Sequence, residues 1–166
     1  TAGQFAEKAD IVLFVHIPKT AGMSVGKSLQ KSFDVFRGVE WHDIARSFRT
    51  QTREACYRQT QKTGRQVIMG HFSWAELQMW RNNEMPMKCA SILREPVARF
   101  VSNYNYNCSE AHPDHEGFRK RFPTMADYAR VQMLDLQVTQ MTGTNSSFEG
   151  LLEKLMRHYS FLGVTE

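Results

Sequence analysis

Ile11-Val12-Leu13-Phe14-Val15, followed at once by His16-Ile17-Pro18-Lys19-Thr20-Ala21-Gly22-Met23-Ser24, is the stretch whose reading decides the fold. Five consecutive apolar, β-favouring residues with no polar alternation suit a strand covered on both faces, as in a parallel sheet. The next nine residues are rich in turn formers, and a helix is expected over residues 24–31 with Ser24 as its N-cap. Strand, tight loop and helix in that order gather backbone N–H groups and the positive end of a helix dipole at one strand tip, which makes an anion cradle. Gly22 lets the backbone approach an anion closely. Lys19 adds a mobile positive charge and Ser24 a hydroxyl donor. Composition alone equally suits an ordinary strand–helix connection with an exposed lysine.

Outward from this stretch, strands alternate with helices. Residues 34–36 form a short strand candidate, and the polar residues 43–63 are compatible with helix. A third strand is expected over 66–69, ending at Gly70-His71, with a helix over 74–80. A fourth strand over 88–93 ends at Arg94, and Pro96 sits in the first turn of a helix reaching residue 106. Residues 107–123 are polar, with Pro113, Gly117 and Pro123, and read as a mobile surface loop. Helices over 125–141 and 148–158 and a strand over 161–164 complete the chain. The alternation predicts an α/β fold: a single P-loop-NTPase-like domain, residues 1–166, with a central, mostly parallel sheet of four to five strands flanked by helices. Ligands in such folds bind beyond the carboxyl ends of the strands.

The chain has 166 residues, 42% of them hydrophobic and 23% charged, enough for one globular core. No apolar run approaches the roughly 20 residues of a membrane span, and residues 1–10 carry no signal pattern. A net charge of +4 suits anionic ligands without choosing among them. Lys and Arg are dispersed rather than clustered with aromatics, which argues against nucleic acid. Of the three cysteines, Cys89 lies in an apolar run and reads as a core thiol. Cys56 and Cys108 are available to pair in an oxidising compartment, though nothing requires it. No C-x-x-C or other metal-ligand cluster is present, so no metal is expected.

A second strand end carries Ser91-Ile92-Leu93-Arg94-Glu95-Pro96-Val97-Ala98-Arg99-Phe100-Val101-Ser102-Asn103-Tyr104. Arg94 emerges at the tip, and Arg99 and Ser102 share a helix face. A guanidinium fork with a hydroxyl suits a phosphate dianion. In this order, the two strand-end motifs resemble those of the Golgi carbohydrate sulfotransferases and their bacterial relatives, the group containing heparan sulfate 2-O-sulfotransferase. The first is similar to that family's H-I-P-K-T-x-G-T-S loop and the second to its L-R-D-P-x-x-R-x-x-S-x-Y segment. Val67-Ile68-Met69-Gly70-His71-Phe72 is similar to an apolar-G-H-F segment. Leu136-Gln137-Val138-Thr139-Gln140-Met141-Thr142-Gly143 loosely resembles N-x-x-T-R-x-x-G, with Gln140 in place of the Arg. Phe161-Leu162-Gly163-Val164-Thr165-Glu166 matches a late G-x-T-E strand, after which the family has a further helix and loop. Ala21, Met23 and Glu95 replace a frequent Gly, a frequent Thr and an Asp, and Met23 removes one hydroxyl donor.

The resemblance implies a sulfotransferase that takes its sulfuryl group from 3′-phosphoadenosine 5′-phosphosulfate (PAPS). Pro18, Lys19, Thr20, Ala21, Gly22, Met23 and Ser24 are then the loop around the 5′-phosphosulfate, and Arg94 and Ser102 the pair on the 3′-phosphate. It also implies a hydroxyl acceptor, a carbohydrate or a small molecule, and a bacterial cytoplasmic enzyme, with a Golgi-luminal ectodomain as the alternative. The acceptor hydroxyl must lose a proton, for which histidine is best suited. His71, at the third strand tip in the G-H-F position, is the expected base, and Glu76 is a weaker candidate. Lys19 is expected to stabilise charge during transfer. His16 is expected to brace the first loop, and Trp41, Trp74 and Trp80 are candidates to line an acceptor cleft.

Two other readings compete. Ala21-Gly22-Met23-Ser24-Val25-Gly26-Lys27-Ser28 fits a relaxed Walker A pattern, which would make the chain a P-loop kinase or NTPase using ATP and magnesium. Against it, residues 16–20 separate this pattern from the strand, Gly26-Lys27-Ser28 would fall inside the helix, and no later strand ends in a magnesium-binding Asp. A non-catalytic fragment of the same fold, binding nucleotide or anionic glycan, is the second.

Overall fold

The apolar run is β1 (Asp10–Val15), the middle strand of a five-stranded sheet ordered β2-β3-β1-β4-β5. A computed structural model describes residues 10–39, 64–82, 87–132, 135–143 and 147–165. The other strands are β2 (Val35–Val39), β3 (Arg65–Gly70), β4 (Met87–Arg94) and β5 (Phe161–Thr165). Every pairing is parallel. β1 pairs with β3 on one edge and β4 on the other, and a buried apolar cluster covers each of its faces, as an unbroken apolar run requires. Register places Val15 beside Gly70 and Ser91, bringing three strand tips level.

Seven helices flank the sheet among the described residues: α1 (Gly22–Ser32), α2 (Trp74–Asn82), α3 (Pro96–Asn107), α4 (His115–Arg121), α5 (Met125–Ala129), α6 (Leu136–Thr142) and α7 (Phe148–His158). One sheet face packs Phe14, Val67, Met69 and Ala90 against Val25, Leu29 and Phe33 of α1 and its exit. The other packs Leu13, Ile68 and Cys89 against Leu77 of α2, Met141 of α6 and Leu155 of α7. None of the helices described is long and apolar enough to cross a membrane.

Three local expectations are corrected. The first helix starts at Gly22 rather than Ser24, and its N-cap is Ala21 in a left-handed conformation with no capping side chain. Ser24 lies within the first turn, because Ala21 has already turned the chain. The expected mobile loop over 107–123 contains α4, whose Phe118 is buried. Phe118 meets Tyr104, Phe122 and Tyr128 at ring separations of 5.1–5.9 Å, and this aromatic cluster holds α4 and α5 against α3. The single helix expected over 125–141 is two, α5 and α6. Residues 43–63, with Cys56, and Trp41 and the Trp80 side chain lie outside the described residues.

Gly26, Lys27 and Ser28 sit inside α1, where the Ser28 hydroxyl donates to the Ser24 carbonyl at 3.2 Å. A Walker lysine must project from the loop, so this placement removes the geometric basis of the kinase reading.

Candidate active site

Between β1 and α1, residues 16–21 cross the tips of the sheet. Lys19 (φ 68°) and Ala21 (φ 65°) both adopt the left-handed region. That conformation costs a residue with a β-carbon about 1–2 kcal/mol. Surrounding contacts hold it: Ile17 and Thr20 are buried, and the Thr20 hydroxyl donates to the Ile17 carbonyl at 2.9 Å. Left-handed residues alternating with ordinary ones turn successive N–H groups to one side, a concave anion nest. The first-turn N–H groups of α1 lack intrahelical acceptors, and no side chain caps them. The rim is open, since Ala21, Met23 and Ser24 are exposed, Met23 by 85%. Pro18 is half-buried at the loop's entry and Gly22 is buried at its exit.

Gly22 is required by a neighbour rather than by its backbone angles. A β-carbon there would fall 1.6 Å from Nε2 of His16. The Nε2 end of the His16 ring therefore abuts the start of α1. The same ring stacks on His71, with centroids 4.3 Å apart and planes inclined by 26°. Nδ1 of His71 is 2.7 Å from the His16 carbonyl oxygen, which also accepts from Nε2 of Gln140 at 3.0 Å. The His16 N–H donates to the Gly70 carbonyl at 2.7 Å. Burial, and then the nearby His71, lower the His16 pKa from 6.5 to about 4. Glu76 accepts from the Ser73 N–H and so closes the first turn of α2.

Arg94 ends β4 beside the same loop. Its Nη1 donates to the Lys19 carbonyl at 3.4 Å, and its Nε is buried without a partner. Gln137 clamps its backbone from α6, accepting from the Arg94 N–H and donating to the Arg94 carbonyl, each at 2.9 Å. The Lys19 ammonium stands 4.1 Å above the Tyr106 ring. Burial, followed by the Arg94 charge, lowers the Lys19 pKa. Glu95 caps α3, accepting from Val97 and Ala98 N–H groups at 2.9 and 2.6 Å, so the longer side chain does what Asp would do there. Ser102 is half-buried on α3, one turn beyond Arg99 and one turn before Tyr106.

Of the sequence-derived residues, His71 and Arg94 meet the loop, at its carbonyls 16 and 19, whereas Glu76 turns to Ser73 and Ser102 is placed only on α3. Trp74 turns elsewhere: it meets His158 edge-on at 5.0 Å and lies against Gly143. Three contributors escaped the sequence reading. Gln137 and Tyr106 carried no signal beyond their place in quoted segments. Arg99, read as a face-sharing partner of Ser102, is 1% exposed, with Nε and Nη1 unpartnered. Among the described residues no three His, Cys, Asp or Glu side chains form a group able to hold a metal ion.

Comparison with known proteins gives one family. The model described as the sulfotransferase family matches residues 4–160. Among solved structures, the mouse sulfotransferase SULT7A1 complexed with PAP aligns at a TM-score of 0.52 and 13% identity, covering 94% of this chain and 51% of that one. The chain therefore spans about half the length of that structure, and at this identity the likeness is one of fold. An uncharacterized protein from Eubacterium ventriosum ATCC 27560 aligns at a TM-score of 0.43 and 11% identity, over 95% of this chain and 89% of its own. No curated protein sequence matches significantly.

Proposed function

The chain belongs to the sulfotransferase family, and on that premise we propose that it moves the sulfuryl group of PAPS to a hydroxyl acceptor, a carbohydrate by its resemblance to the carbohydrate sulfotransferases. One observation carries the reading: the left-handed loop at residues 16–21 gathers the histidine of one strand tip and the arginine of another. The residues present fit such a donor. The nest and the uncapped start of α1 suit its 5′-phosphosulfate. The buried, unpartnered Nε of Arg94 lacks the anion that a 3′-phosphate would supply, with Ser102 as a second donor.

PAPS supplies an activated sulfuryl group with a phosphate as leaving group. The protein's residues supply the rest. Pro18, Thr20, Ala21, Gly22, Met23 and Ser24 form the cradle, and Gln137 fixes the strand tip from which Arg94 reaches. A carbonyl only accepts, so Nδ1 of His71 carries a proton towards His16 and the neutral ring presents its lone pair at Nε2. His71 takes the acceptor's proton there as the acceptor oxygen bonds to sulfur. The electron pair of the broken sulfur–oxygen bond leaves on the 5′-phosphate, where the Lys19 ammonium stabilises the charge.

Calorimetric titration with 3′-phosphoadenosine 5′-phosphate, ADP and ATP with magnesium tests the reading. The 3′-phosphorylated nucleotide is expected to bind best and without metal. Arg94→Ala removes a charge-assisted contact of about 1.5–3 kcal/mol and should weaken that nucleotide roughly 10- to 100-fold. A preference for ATP with magnesium, unaffected by Arg94→Ala, would overturn it.

A further inference from the structure

We infer that His16 is a positioning residue for His71: its backbone carbonyl holds His71 as the Nδ1–H tautomer, and its ring backs that imidazole as a flat surface that does not take the proton. The inference rests on the sulfotransferase reading only for where the proton comes from.

Five contacts define the arrangement. The His16 N–H is tied to Gly70, the residue before His71, so both histidines leave paired strands in register. The His16 carbonyl receives Nδ1 of His71 and the Gln140 amide together. The His16 ring meets Gly22 at its Nε2 end and stacks on the His71 ring. Among the described residues that meet His16, Gly22 of α1 and Gly70 of β3 carry no side-chain charge, Gln140 of α6 is neutral, and His71 is titratable.

Two imidazoles 4.3 Å apart cannot both be cations without strong repulsion, so the pair takes one proton before the other. Burial makes His16 the poorer acceptor, with a pKa of about 4. A proton that arrives on His71 has Nε2 as its site, because Nδ1 already faces the His16 carbonyl. Gln140 stands where the resembled family has an arginine, and its amide keeps one N–H on the same carbonyl.

Nitrogen-15 NMR of histidine-labelled protein tests this without an acceptor. In the wild type, His71 should appear as the Nδ1–H tautomer above its titration, and His16 should stay neutral down to about pH 5. His16→Phe keeps the carbonyl and a neutral flat ring, so the His71 tautomer should survive. His16→Ala keeps the carbonyl but removes the backing ring, so the Nδ1–H tautomer should survive while the His71 ring signals shift and broaden. Should that variant not fold, Gln140→Leu is the second probe, and should leave the His71 tautomer in place with the Nδ1–H signal shifted. Three outcomes would overturn the inference: a His71 Nε2–H tautomer, a His16 that takes a proton near neutrality, or a His71 spectrum unmoved by both His16→Ala and Gln140→Leu. Adding 3′-phosphoadenosine 5′-phosphate to the same samples separates the two questions. If it does not bind while the tautomers are as stated, the sulfotransferase reading fails and the positioning role stands.

Discussion

Replacing Gly22 by alanine tests whether the start of α1 and the two histidines form one unit. The new methyl would sit 1.6 Å from Nε2 of His16. Restoring an ordinary contact requires the ring to retreat by about 1.8 Å, but His71 stacks on it at 4.3 Å. Either the stack breaks or the helix start shifts. Overpacking of this kind costs about 1–3 kcal/mol and a lost ring pair about 0.5–1.5 kcal/mol. For a domain of this size that lowers Tm by roughly 3–15 °C. A double-mutant cycle by thermal denaturation separates this from a generic glycine effect. In a His16→Ala background the methyl has room, so Gly22→Ala should cost nothing there. An equal cost in both backgrounds, within about 0.5 kcal/mol, would refute the packing argument.

Other expectations follow from the same contacts. The folded pKa of His16 is lowered to about 4 from 6.5, so the unfolded chain binds its proton first; stability present above pH 6.5 should drain as pH falls towards 4. Denaturation midpoints across that window should flatten in His16→Phe. Hydrogen bonds from Val97 and Ala98 lower the Glu95 pKa, so its cap should hold above the unfolded carboxyl range and fail as pH drops through the folded value. Glu95→Gln should remove that acid-side loss, read as helix signal against pH. Arg99→Met replaces a buried guanidinium whose Nε and Nη1 have no hydrogen-bond partner among the described residues and should raise the unfolding free energy by on the order of 1 kcal/mol, read as a higher urea midpoint. A lower midpoint would show that the guanidinium is satisfied.

The parts of the fold legible in the sequence were those with strong local signals. The unbroken apolar run of β1 announced a central parallel strand, and the Arg94 and His71 strand tips were placed correctly by the strand ends before them. Signals weakened where composition and packing disagree. Pro113, Gly117 and Pro123 made residues 107–123 read as loop, yet Phe118 and Phe122, four apart, supply an apolar face that α3 and α5 bury. The N-cap was misplaced because a left-handed alanine leaves no mark in sequence. The stack of His16 on His71 spans 55 positions and exists only because β1 and β3 pair with Val15 beside Gly70, a register that no local pattern specifies. Arg99, read from its spacing as a partner of Ser102 on one helix face, is instead buried, which spacing alone does not show.

Glycine at position 21 would relieve about 1–2 kcal/mol of left-handed strain and also widen the unfolded ensemble, at a cost of about 0.4–1 kcal/mol. These two effects oppose each other and leave about 0–1.6 kcal/mol in favour of glycine. Melting temperature therefore under-reports the stiffness of residues 16–21, whereas the association and release rates of an anion would register it directly. Two sequences of this kind, one with Ala21 and one with glycine, could melt together and still differ in how fast the loop captures its ligand.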